Sequence, residues 1–451
     1  MPSIYLSAAH KSSGKTVVSL GLCAALKQQK LSVQSFKKGP DYIDPIWLTQ
    51  ASGNPCYNLD FYTMSEDEII ALYQQKSAYS DIAIIEGNKG LYDGMNTTGG
   101  DANADMAKLL NTPVVLVIDT NGITRGIAPL LKGYQLFDDK VNIAGVILNK
   151  VAGERHQSKL VQAIEYYTDI PVFGAIRRSK ELIIDERHLG LMPANEAPQS
   201  QTFINTAAKH IVEQVDLTYF HQQALLADKT FHQQARLADE IRLRVAVAKD
   251  SVFGFYYQDD LEAFESLGVK IIYFNTLTDT HLPDCDGLFI GGGFPEMQLK
   301  SLSANADLLK DIKNKIEAGL PTYAECGGLM YLSNSIENYP MVGVIDAEAK
   351  MNKKPIGRGY VQLEPTDNHP WKGVASTIYA HEFHYSNLEN INPKTHYAYK
   401  VLRGVGVDNK RDGILIHNLL ATYTHLRSVG GNHWVEQFVN FISAHSKTLD
   451  S

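Results

Sequence analysis

The sequence predicts an α/β protein with two parallel-sheet domains, and three observations indicate this. Short continuous apolar runs alternate with helical stretches in the first half of the chain, as expected for strands buried on both faces of a sheet. A second series of the same kind begins near Arg244. Each series contains a glycine-bearing turn between a strand and a helix, where open α/β sheets place their functional groups.

The composition restricts the class of protein. The 451 residues are 44% hydrophobic and 20% charged, and the net charge is −8. This is ordinary globular composition, and the acidic balance argues against a main role on nucleic acid. No apolar run approaches the roughly 20 residues that span a bilayer, and the start has no signal-peptide pattern. Four distant cysteines form neither a disulfide framework nor a zinc pattern, so we expect a soluble cytoplasmic protein.

We expect the first domain, a P-loop doubly wound parallel sheet, to cover residues 1–195. Its predicted first helix runs from Val17 to Lys30. The apolar runs that predict its strands are Ile4–Leu6, Asp81–Ile85, Pro113–Asp119, Ile143–Leu148 and Pro171–Ile176.

Residues 196–243 carry no strand signal and are rich in Gln, Ala, His and charge. They contain a tandem near-repeat, which starts at Phe220 and again at Phe231. A shift of 11 residues is close to three helical turns, so both copies share a face. We interpret the segment as a helical interdomain linker. His221 and His232 lie too far apart on such a helix to bind one metal ion directly.

The second domain is expected to cover residues 244–451. Alternating, antiparallel-like segments follow Met351. The apolar runs that predict the other strands are Val245–Ala248, Val269–Phe274, Gly287–Ile290, Pro321–Ala324 and Gly413–Ile416.

A phosphate-binding loop is predicted at residues 9–16, after the first strand. Small residues let backbone N–H groups face phosphates, and the following helix adds its dipole. Lys15 is expected to reach the β- and γ-phosphates, and the Thr16 hydroxyl to bind Mg²⁺. Ser12, Ser13 and Gly14 complete the loop.

Acidic side chains follow at two further turns. In the segment Phe36–Pro45, Asp41 or Asp44 is a candidate Mg²⁺ ligand, and Lys37 or Lys38 a candidate anion contact, although a solvated turn explains the pattern equally well. Glu86 ends a buried strand and is a second candidate metal ligand. Asp119 ends the next strand, where a helix-capping role is the alternative.

Cys326 stands between a predicted strand and a predicted helix, and Gly327 follows it. Such a sharp turn exposes a nucleophile, and a helix N-terminus lowers the pKa of a thiol. N–H groups of Gly292, Gly293 and Gly327 are candidates for an oxyanion hole. His425 is our candidate base for a nucleophilic cysteine, and the competing histidines are His381 and His384.

These motifs together resemble the cobyrinic acid a,c-diamide synthase family, the glutamine-dependent amidases of corrin synthesis. The resemblance covers nearly the whole chain. It rests on SSGKT at 12–16, KKGPDYIDP at 37–45, EGNKGLYDG at 86–94, GGGFPE at 291–296, AECGGLMYL at 324–332, GRGY at 357–360, HEFHYS at 381–386 and ATYTHL at 421–426.

The resemblance implies a dethiobiotin synthetase-like first domain and a class I glutamine amidotransferase-like second domain. Such enzymes use glutamine and MgATP to amidate the a and c acetates of a tetrapyrrole. It implies that Cys326 is the nucleophile, that His425 is its base, and that Asp41, Asp44, Glu86 and Asp93 contact nucleotide, metal or acidic substrate. Ala9-His10 replaces the usual Gly-Thr, and Arg427 stands where a second His often follows. A homodimer is compatible with this family.

Other functions remain open from the sequence alone. Related amidases act on sirohaem or nickel-sirohydrochlorin. A partitioning-type P-loop ATPase belongs to a different class and would need neither Cys326 nor His425. A dethiobiotin-type ligase with a vestigial second domain and a tetrapyrrole-binding protein without ATP hydrolysis are the remaining rivals.

Overall fold

The computed structural model describes residues 2–184, 186–187, 190–225 and 242–446. The chain forms two compact units, residues 1–234 and 235–451. Among the described residues, no helix has the length and apolar character needed to cross a membrane. Most of the tandem near-repeat, residues 226–239, lies outside the described residues, and so does His232.

The first unit alternates strands and helices along the chain. Its helices are α1 (Lys15–Gln28), α2 (Ile43–Ser52), α3 (Glu66–Ser77), α4 (Asn103–Leu109), α5 (Ile127–Phe137), α6 (Glu154–Tyr167), α7 (Ser200–Gln214) and α8 (Leu217–Leu225). Its strands are β1 (Ser3–Ala8), β2 (Val33–Lys38), β3 (Tyr57–Leu59), β4 (Ile82–Glu86), β5 (Val114–Asp119), β6 (Ile143–Val151), β7 (Val172–Arg177), β8 (Glu186–Arg187) and β9 (Gly190–Leu191).

Seven parallel strands form the sheet of this unit in the order β3-β2-β4-β1-β5-β6-β7. The strand side chains Ile4, Ile84 and Val115 are buried in its hydrophobic core. The strand order changes direction around β1, so the loops after β1, β2 and β4 meet at the carboxyl edge. This is where open α/β sheets bind ligands.

The two helices after β9 belong to the core of the first unit. Ile204, Ala208 and Ile211 of α7 and Phe220 of α8 are buried in it. Gly21 lets α7 approach α1, since a Cβ there would lie 2.6 Å from Ile211 Cγ1. Side chains of α7 and α8 therefore pack into the core of the first unit. The domain limits, with a linker at residues 196–243, stay a prediction.

The second unit carries more strands than helices. Its helices are α9 (Gln258–Ser266), α10 (Leu299–Ala304), α11 (Ala306–Glu317), α12 (Gly327–Leu332) and α13 (Trp434–His445). Its strands are β10 (Leu243–Ala248), β11 (Phe253–Phe255), β12 (Val269–Phe274), β13 (Gly287–Ile290), β14 (Gly292–Gly293), β15 (Thr322–Glu325), β16 (Ser333–Ile336), β17 (Tyr339–Pro340), β18 (Ile345–Met351), β19 (Gly357–Pro365), β20 (Ile378–His384), β21 (Ser386–Glu389), β22 (His396–Arg403), β23 (Arg411–Ile416) and β24 (Leu419–Thr422).

The main sheet of the second unit is mixed. Its order is β12-β10-β13-β15-β24-β23-β22-β19-β20, parallel from β12 to β24 and antiparallel beyond. A four-stranded sheet, β17-β16-β18-β21, and the short pair β11–β14 complete the strands described here. The parallel part carries Cys326 directly after β15 and His425 shortly after β24, so adjacent strands position both residues.

The predicted fold class is confirmed, and each predicted strand matches an observed one. The expectation of a loop from Phe36 to Pro45 is wrong at both ends. Phe36, Lys37 and Lys38 end strand β2, and α2 begins at Ile43. The sequence did not predict a strand at Val33–Lys38, because this run mixes Gln, Ser and Lys with only two apolar residues. All six residues are nevertheless buried.

Candidate active site

The predicted phosphate loop follows β1 and leads directly into α1. Ser12 and Gly14 adopt positive φ values of 67° and 86°. A Cβ at Gly14 would lie 2.2 Å from Asn149 Nδ2, so glycine is required there. Asn149 Nδ2 and Lys150 Nζ donate to the carbonyls of Ser13 and Ser12, at 2.9 and 3.0 Å. These contacts fix the two carbonyls and stiffen the loop.

Lys15 is held in place by the loop that follows β4. Its Nζ donates to the carbonyl of Lys89 at 2.6 Å, in the glycine-rich loop after β4. Burial, and after it the Lys37 ammonium, lower the pKa of Lys15 to about 8 against the raising effect of nearby acids. An anionic phosphate would restore the charge that this environment disfavours.

An acidic cluster lies beside the loop at the ends of β2 and β4. Thr16 Oγ1 donates to Glu86 Oε1 at 2.8 Å and lies 3.4 Å from Asp44 Oδ2. The Lys37 ammonium bridges the same two carboxylates, 2.5 Å from Asp44 and 2.7 Å from Glu86. Burial alone would lower the pKa of Lys37, but these two acids raise it well above its usual value.

This cluster satisfies the chemistry of a magnesium site. The hydroxyl of Thr16 and the carboxylates of Asp44 and Glu86 are hard oxygen ligands. Glu86 Oε2 is buried without a hydrogen-bond partner, which leaves an acceptor ready for a cation. No group of three His, Cys, Asp or Glu side chains with metal-binding geometry occurs in the described part of the chain, so phosphate oxygens and water would complete the shell.

The other two predicted acids have different surroundings. Asp41 Oδ1 accepts from the N–H groups of Ile43 and Asp44 at the start of α2, which fixes the loop. Burial and the neighbouring Asp44 raise the pKa of Asp41 to about 7. Asp93 Oδ2 accepts from Gly90 N–H, at 3.0 Å, within the glycine-rich loop. The structure thus brings Thr16, Asp44 and Glu86 together and gives Asp41 a helix-capping contact.

A cavity of about 330 Å³ lies on the other side of the phosphate loop. Its lining includes Gly14 and Asn149 and a set of apolar side chains. The other polar lining residues are Lys150, Arg177, Arg178, Ser179 and His210. Asp119 lies near this edge and forms an ion pair with Lys150 at 2.7 Å; its other oxygen accepts from Asn121 N–H. The apolar lining is formed by Val17, Val18, Ile176, Leu182, Ile183 and Ile211.

In the second unit, Cys326 occupies the strained turn that the sequence predicts. It stands between β15 and α12 with φ 47° and ψ −100°, a conformation that costs free energy in a non-glycine residue. Its N–H donates to the Thr422 carbonyl at 2.7 Å. Backbone bonding to the adjacent strand therefore holds the strained residue in place.

Burial outweighs the contribution of the Gly327 N–H at the start of α12, which lowers the pKa of the Cys326 thiol as the sequence predicts. Burial, reinforced by the Glu296 carboxylate, raises that pKa well above its usual value. Helix α12 has only six residues, so its dipole is weak. The resting group is a neutral thiol, and a base must remove its proton during attack.

The predicted oxyanion groups lie next to this turn. A Cβ at Gly327 would lie 2.9 Å from the backbone nitrogen of Gly293, so the two residues are in close contact. A Cβ at Gly292 would lie 2.5 Å from His425 Cε1. The N–H of Gly291 instead donates to the Tyr256 hydroxyl at 3.0 Å. The second and third glycines of the triplet are therefore the ones beside the nucleophile turn and the base.

His425 lies in a short backbone bridge to His381. Its N–H donates to the His381 carbonyl at 2.8 Å, and the two rings stack with centroids 5.1 Å apart. On the other side, His425 Nδ1 lies 3.4 Å from Glu325 Oε2. Sequence reasoning missed Glu325, although it stands directly before Cys326. A buried acid at the end of a parallel strand was the available signal.

The competing histidines have other contacts. His381 Nδ1 lies 3.2 Å from the Tyr257 hydroxyl, and burial lowers its pKa well below the usual value. His384 Nδ1 contacts the Ser386 carbonyl, and its ring stacks on Tyr423. Only His425 combines proximity to Gly292 with a carboxylate facing its Nδ1 among the three. It is the best placed of them as a base.

Arg427, two residues after His425, is held by a buried ion pair. Its side chain is buried and forms an ion pair with Asp259 at 2.8 Å. The guanidinium also lies over the Tyr257 ring, 4.8 Å from its centroid. The position that departs from the family pattern thus carries a buried ion pair, a feature that the sequence did not indicate.

Comparisons with known proteins agree with this geometry. Residues 8–191 match the family model described as the CobQ/CobB/MinD/ParA nucleotide binding domain, and residues 244–432 match the CobB/CobQ-like glutamine amidotransferase domain. The cobyrinate a,c-diamide synthase of Magnetococcus marinus is 41% identical over 98% of this chain and 97% of its own length. The chain belongs to the cobyrinate a,c-diamide synthase family.

Other members of this family are similarly related. The cobyrinate a,c-diamide synthase of Methanobrevibacter smithii is 39% identical over 95% of this chain and 97% of its own length. The cobyrinate a,c-diamide synthase of Caldanaerobacter subterraneus is 37% identical over 97% of this chain and 98% of its own length. The family expectation is confirmed, and the nucleotide-binding and amidotransferase domains fall on the first and second unit.

Proposed function

We propose that this chain uses ATP and glutamine to amidate the a and c acetate side chains of cobyrinate. One observation carries the proposal: a single chain that matches cobyrinate a,c-diamide synthases along 98% of its length keeps both a phosphate loop and a strained nucleophile turn. A partitioning ATPase needs no Cys326 or His425. The names of the relatives favour cobyrinate over sirohaem or nickel-sirohydrochlorin.

Glutamine is hydrolysed in the second unit. His425 accepts the Cys326 thiol proton as Sγ attacks the carboxamide carbon, and the N–H groups of Gly293 and Gly327 stabilise the oxyanion. The proton passes to the leaving nitrogen, which departs as ammonia. Water then hydrolyses the glutamyl thioester and frees Cys326. Burial raises the pKa of the thiol, so the attack needs a base to accept its proton.

ATP activates the carboxylate in the first unit. The substrate carboxylate attacks the γ-phosphorus, the bond to the β–γ bridging oxygen breaks, and ADP leaves. The backbone of residues 12–14 and the Lys15 ammonium stabilise the charge on the phosphates. Thr16, Asp44 and Glu86 would hold Mg²⁺, which neutralises phosphate charge when bound. The resulting acyl phosphate reacts with ammonia to give the amide and inorganic phosphate. The cavity beside Gly14 would take the nucleoside, since its walls combine apolar and basic side chains and it includes a residue of the loop.

The substrate assignment is tested by an amidation assay read by mass spectrometry. The protein, MgATP and glutamine are incubated in parallel with cobyrinic acid, hydrogenobyrinic acid, sirohaem and nickel-sirohydrochlorin. We expect cobyrinic acid to gain two amides. Amidation of sirohaem alone would overturn the substrate class and leave the catalytic roles intact.

The division of roles between the units is tested with Cys326→Ser. The weaker hydroxyl nucleophile should remove glutamine-dependent amidation, while amidation supplied with ammonium salts continues near the wild-type rate. Loss of both activities in a folded variant would contradict the assignment of Cys326 to ammonia production alone.

A further inference from the structure

The carboxylate of Glu325 faces the proposed base, and its position is unusually well fixed. Oε1 accepts from the Tyr323 hydroxyl at 2.7 Å and from Leu426 N–H at 2.8 Å. The second bond comes from the residue directly after His425, so the carboxylate is tied to the backbone that carries the base. Oε2 lies 3.4 Å from His425 Nδ1, within ion-pair distance.

Both side chains are buried, and each is only 3% exposed. A buried carboxylate beside an imidazole interacts with it much more strongly than the same pair in water. The ring is also held from its other face by the stacked His381. Rotation of the ring is therefore limited, and the group that faces Nδ1 decides which nitrogen carries the proton.

We propose that Glu325 is the positioning residue of His425 in glutamine hydrolysis. A carboxylate opposite Nδ1 keeps the proton on that nitrogen and leaves the Nε2 lone pair to accept the proton of Cys326 Sγ. It also stabilises the imidazolium until Nε2 returns the proton to the departing ammonia. No electrons are transferred, and the proton is conserved between Sγ, Nε2 and the leaving nitrogen. This inference rests on the proposed function and names a residue that it lacks.

A purely structural role is the rival explanation, because Oε1 anchors two donors. Glu325→Gln separates the two roles. The amide oxygen can still accept from Tyr323 and Leu426, while the amide NH₂ replaces the acceptor opposite His425 Nδ1. A donor at that place stabilises the wrong tautomer. We expect kcat for glutamine hydrolysis to fall by roughly 10²- to 10⁴-fold, with KM for glutamine changed less than about threefold.

Two control variants accompany this change. Glu364→Gln makes the same substitution at an exposed residue paired with Lys400, and it should leave hydrolysis unchanged. Tyr323→Phe removes one donor to Oε1 but keeps the carboxylate opposite His425. In this variant, kcat for glutamine hydrolysis should fall by less than about tenfold. Equal losses in Tyr323→Phe and Glu325→Gln would show that Glu325 acts only as an anchor.

The tautomer itself can be read without any change at Glu325. Long-range ¹H–¹⁵N correlation spectra of protein labelled at histidine distinguish the two neutral tautomers, and His425→Asn assigns the signal. We expect an Nδ1–H tautomer in the wild-type protein and an Nε2–H tautomer in Glu325→Gln. An Nε2–H tautomer in the wild type would overturn the inference, even if Glu325→Gln fails to fold.

The outcomes also separate this inference from the proposed function. Wild-type protein that does not hydrolyse glutamine contradicts the proposed function and, with it, this inference. Wild-type protein that hydrolyses glutamine, together with a Glu325→Gln variant that hydrolyses it equally fast, contradicts the inference alone. Ammonia-dependent amidation should persist in Glu325→Gln, which shows that the loss is confined to ammonia production.

Discussion

In the second unit, burial favours the uncharged form of several ionisable side chains, and neighbouring charges add to this effect. The Cys326 thiol is kept neutral by burial, although the residue sits in a strained turn suited to a nucleophile. His381 is likewise kept uncharged, because burial and the neighbouring His425 and Arg427 lower its pKa. For Cys326 and His381, burial therefore has the largest effect on the pKa, and neighbouring groups have a smaller one.

His369 makes a testable case of the same effect. Burial lowers its pKa to about 4, and its Nε2 lies 2.8 Å from the Tyr399 hydroxyl. The unfolded chain binds this proton near pH 6.5 and the folded chain only near pH 4, so folding stability falls as the pH drops between these values. The loss from this residue is roughly 3 kcal/mol at most.

The measurement is urea unfolding at several pH values, followed by tryptophan fluorescence. Trp371 is a local probe, since its ring centroid lies 5.5 Å from that of His369. We expect His369→Gln to reduce the loss of folding stability between pH 6.5 and 4. The slope of the unfolding free energy against pH should change by an amount that corresponds to at most about one bound proton. An unchanged slope between pH 6.5 and 4 would show that His369 is not held neutral in the folded protein.

At the scale of elements, the contact between α1 and α7 attaches α7 to the first unit. Gly21 lies in this contact: a Cβ there would lie 2.6 Å from Ile211 Cγ1 and 2.9 Å from the Ala207 carbonyl oxygen. We expect Gly21→Leu to destabilise the unit by about 1–3 kcal/mol or more, since the added side chain must displace α7.

Hydrogen exchange read by mass spectrometry tests this packing. Gly21→Leu should reduce the protection of amides in α7 as well as in α1. Gly133→Ala is the matched control, because a Cβ there meets no atom within 4 Å and alanine favours the helix by roughly 0.5–1 kcal/mol. Unchanged protection of α7 in Gly21→Leu would mean that α7 behaves as a linker, as the sequence first indicated.

The outcome at α7 illustrates how far the sequence alone could predict the structure. Continuous apolar runs such as Val114–Asp119 identify buried parallel strands, and Gly14 and Cys326 are recognised because special backbone geometry demands particular residues. A polar helix whose few apolar side chains meet a distant helix carries no such local signal. Glu325 was missed for a related reason: its role depends on a partner a hundred residues away.

The acidic cluster shows a second limit of sequence reasoning. Asp41 and Asp44 are three residues apart and look equivalent in sequence. The structure separates them, because Asp41 caps the start of α2 while Asp44 is turned toward Thr16 and Lys37. The start of a helix, which decides between them, depends on packing of the whole unit rather than on the motif.

At the scale of the whole molecule, two chemistries are encoded in separate units of one chain. The predicted phosphate loop and the neighbouring acids lie in residues 1–234, and the Cys326 thiol, its proposed base and the glycine triplet lie in residues 235–451. No residue of one set takes part in the chemistry proposed for the other. Each half-reaction should therefore be lost separately by a single substitution.

Lys15→Met tests this separation from the side of the first unit. We propose that its ammonium offsets charge on the transferred phosphate, so ATP-dependent amidation should fall by at least about 10²-fold. The loss should be equal with glutamine and with ammonium salts as nitrogen donors, because both need the acyl phosphate. Basal hydrolysis of glutamine, measured as glutamate released without tetrapyrrole, should stay close to that of the wild type.

Lys400→Met serves as the control for this substitution, since Lys400 lies in an exposed ion pair with Glu364. It should leave both activities unchanged. If Lys15→Met lost glutamine hydrolysis together with amidation, ammonia production would depend on an occupied nucleotide site, and the two units would have to act as one catalytic system. If amidation survived, Lys15 would not face the phosphates, and the nucleotide would have to bind elsewhere than at the loop that the sequence and the backbone geometry both indicate.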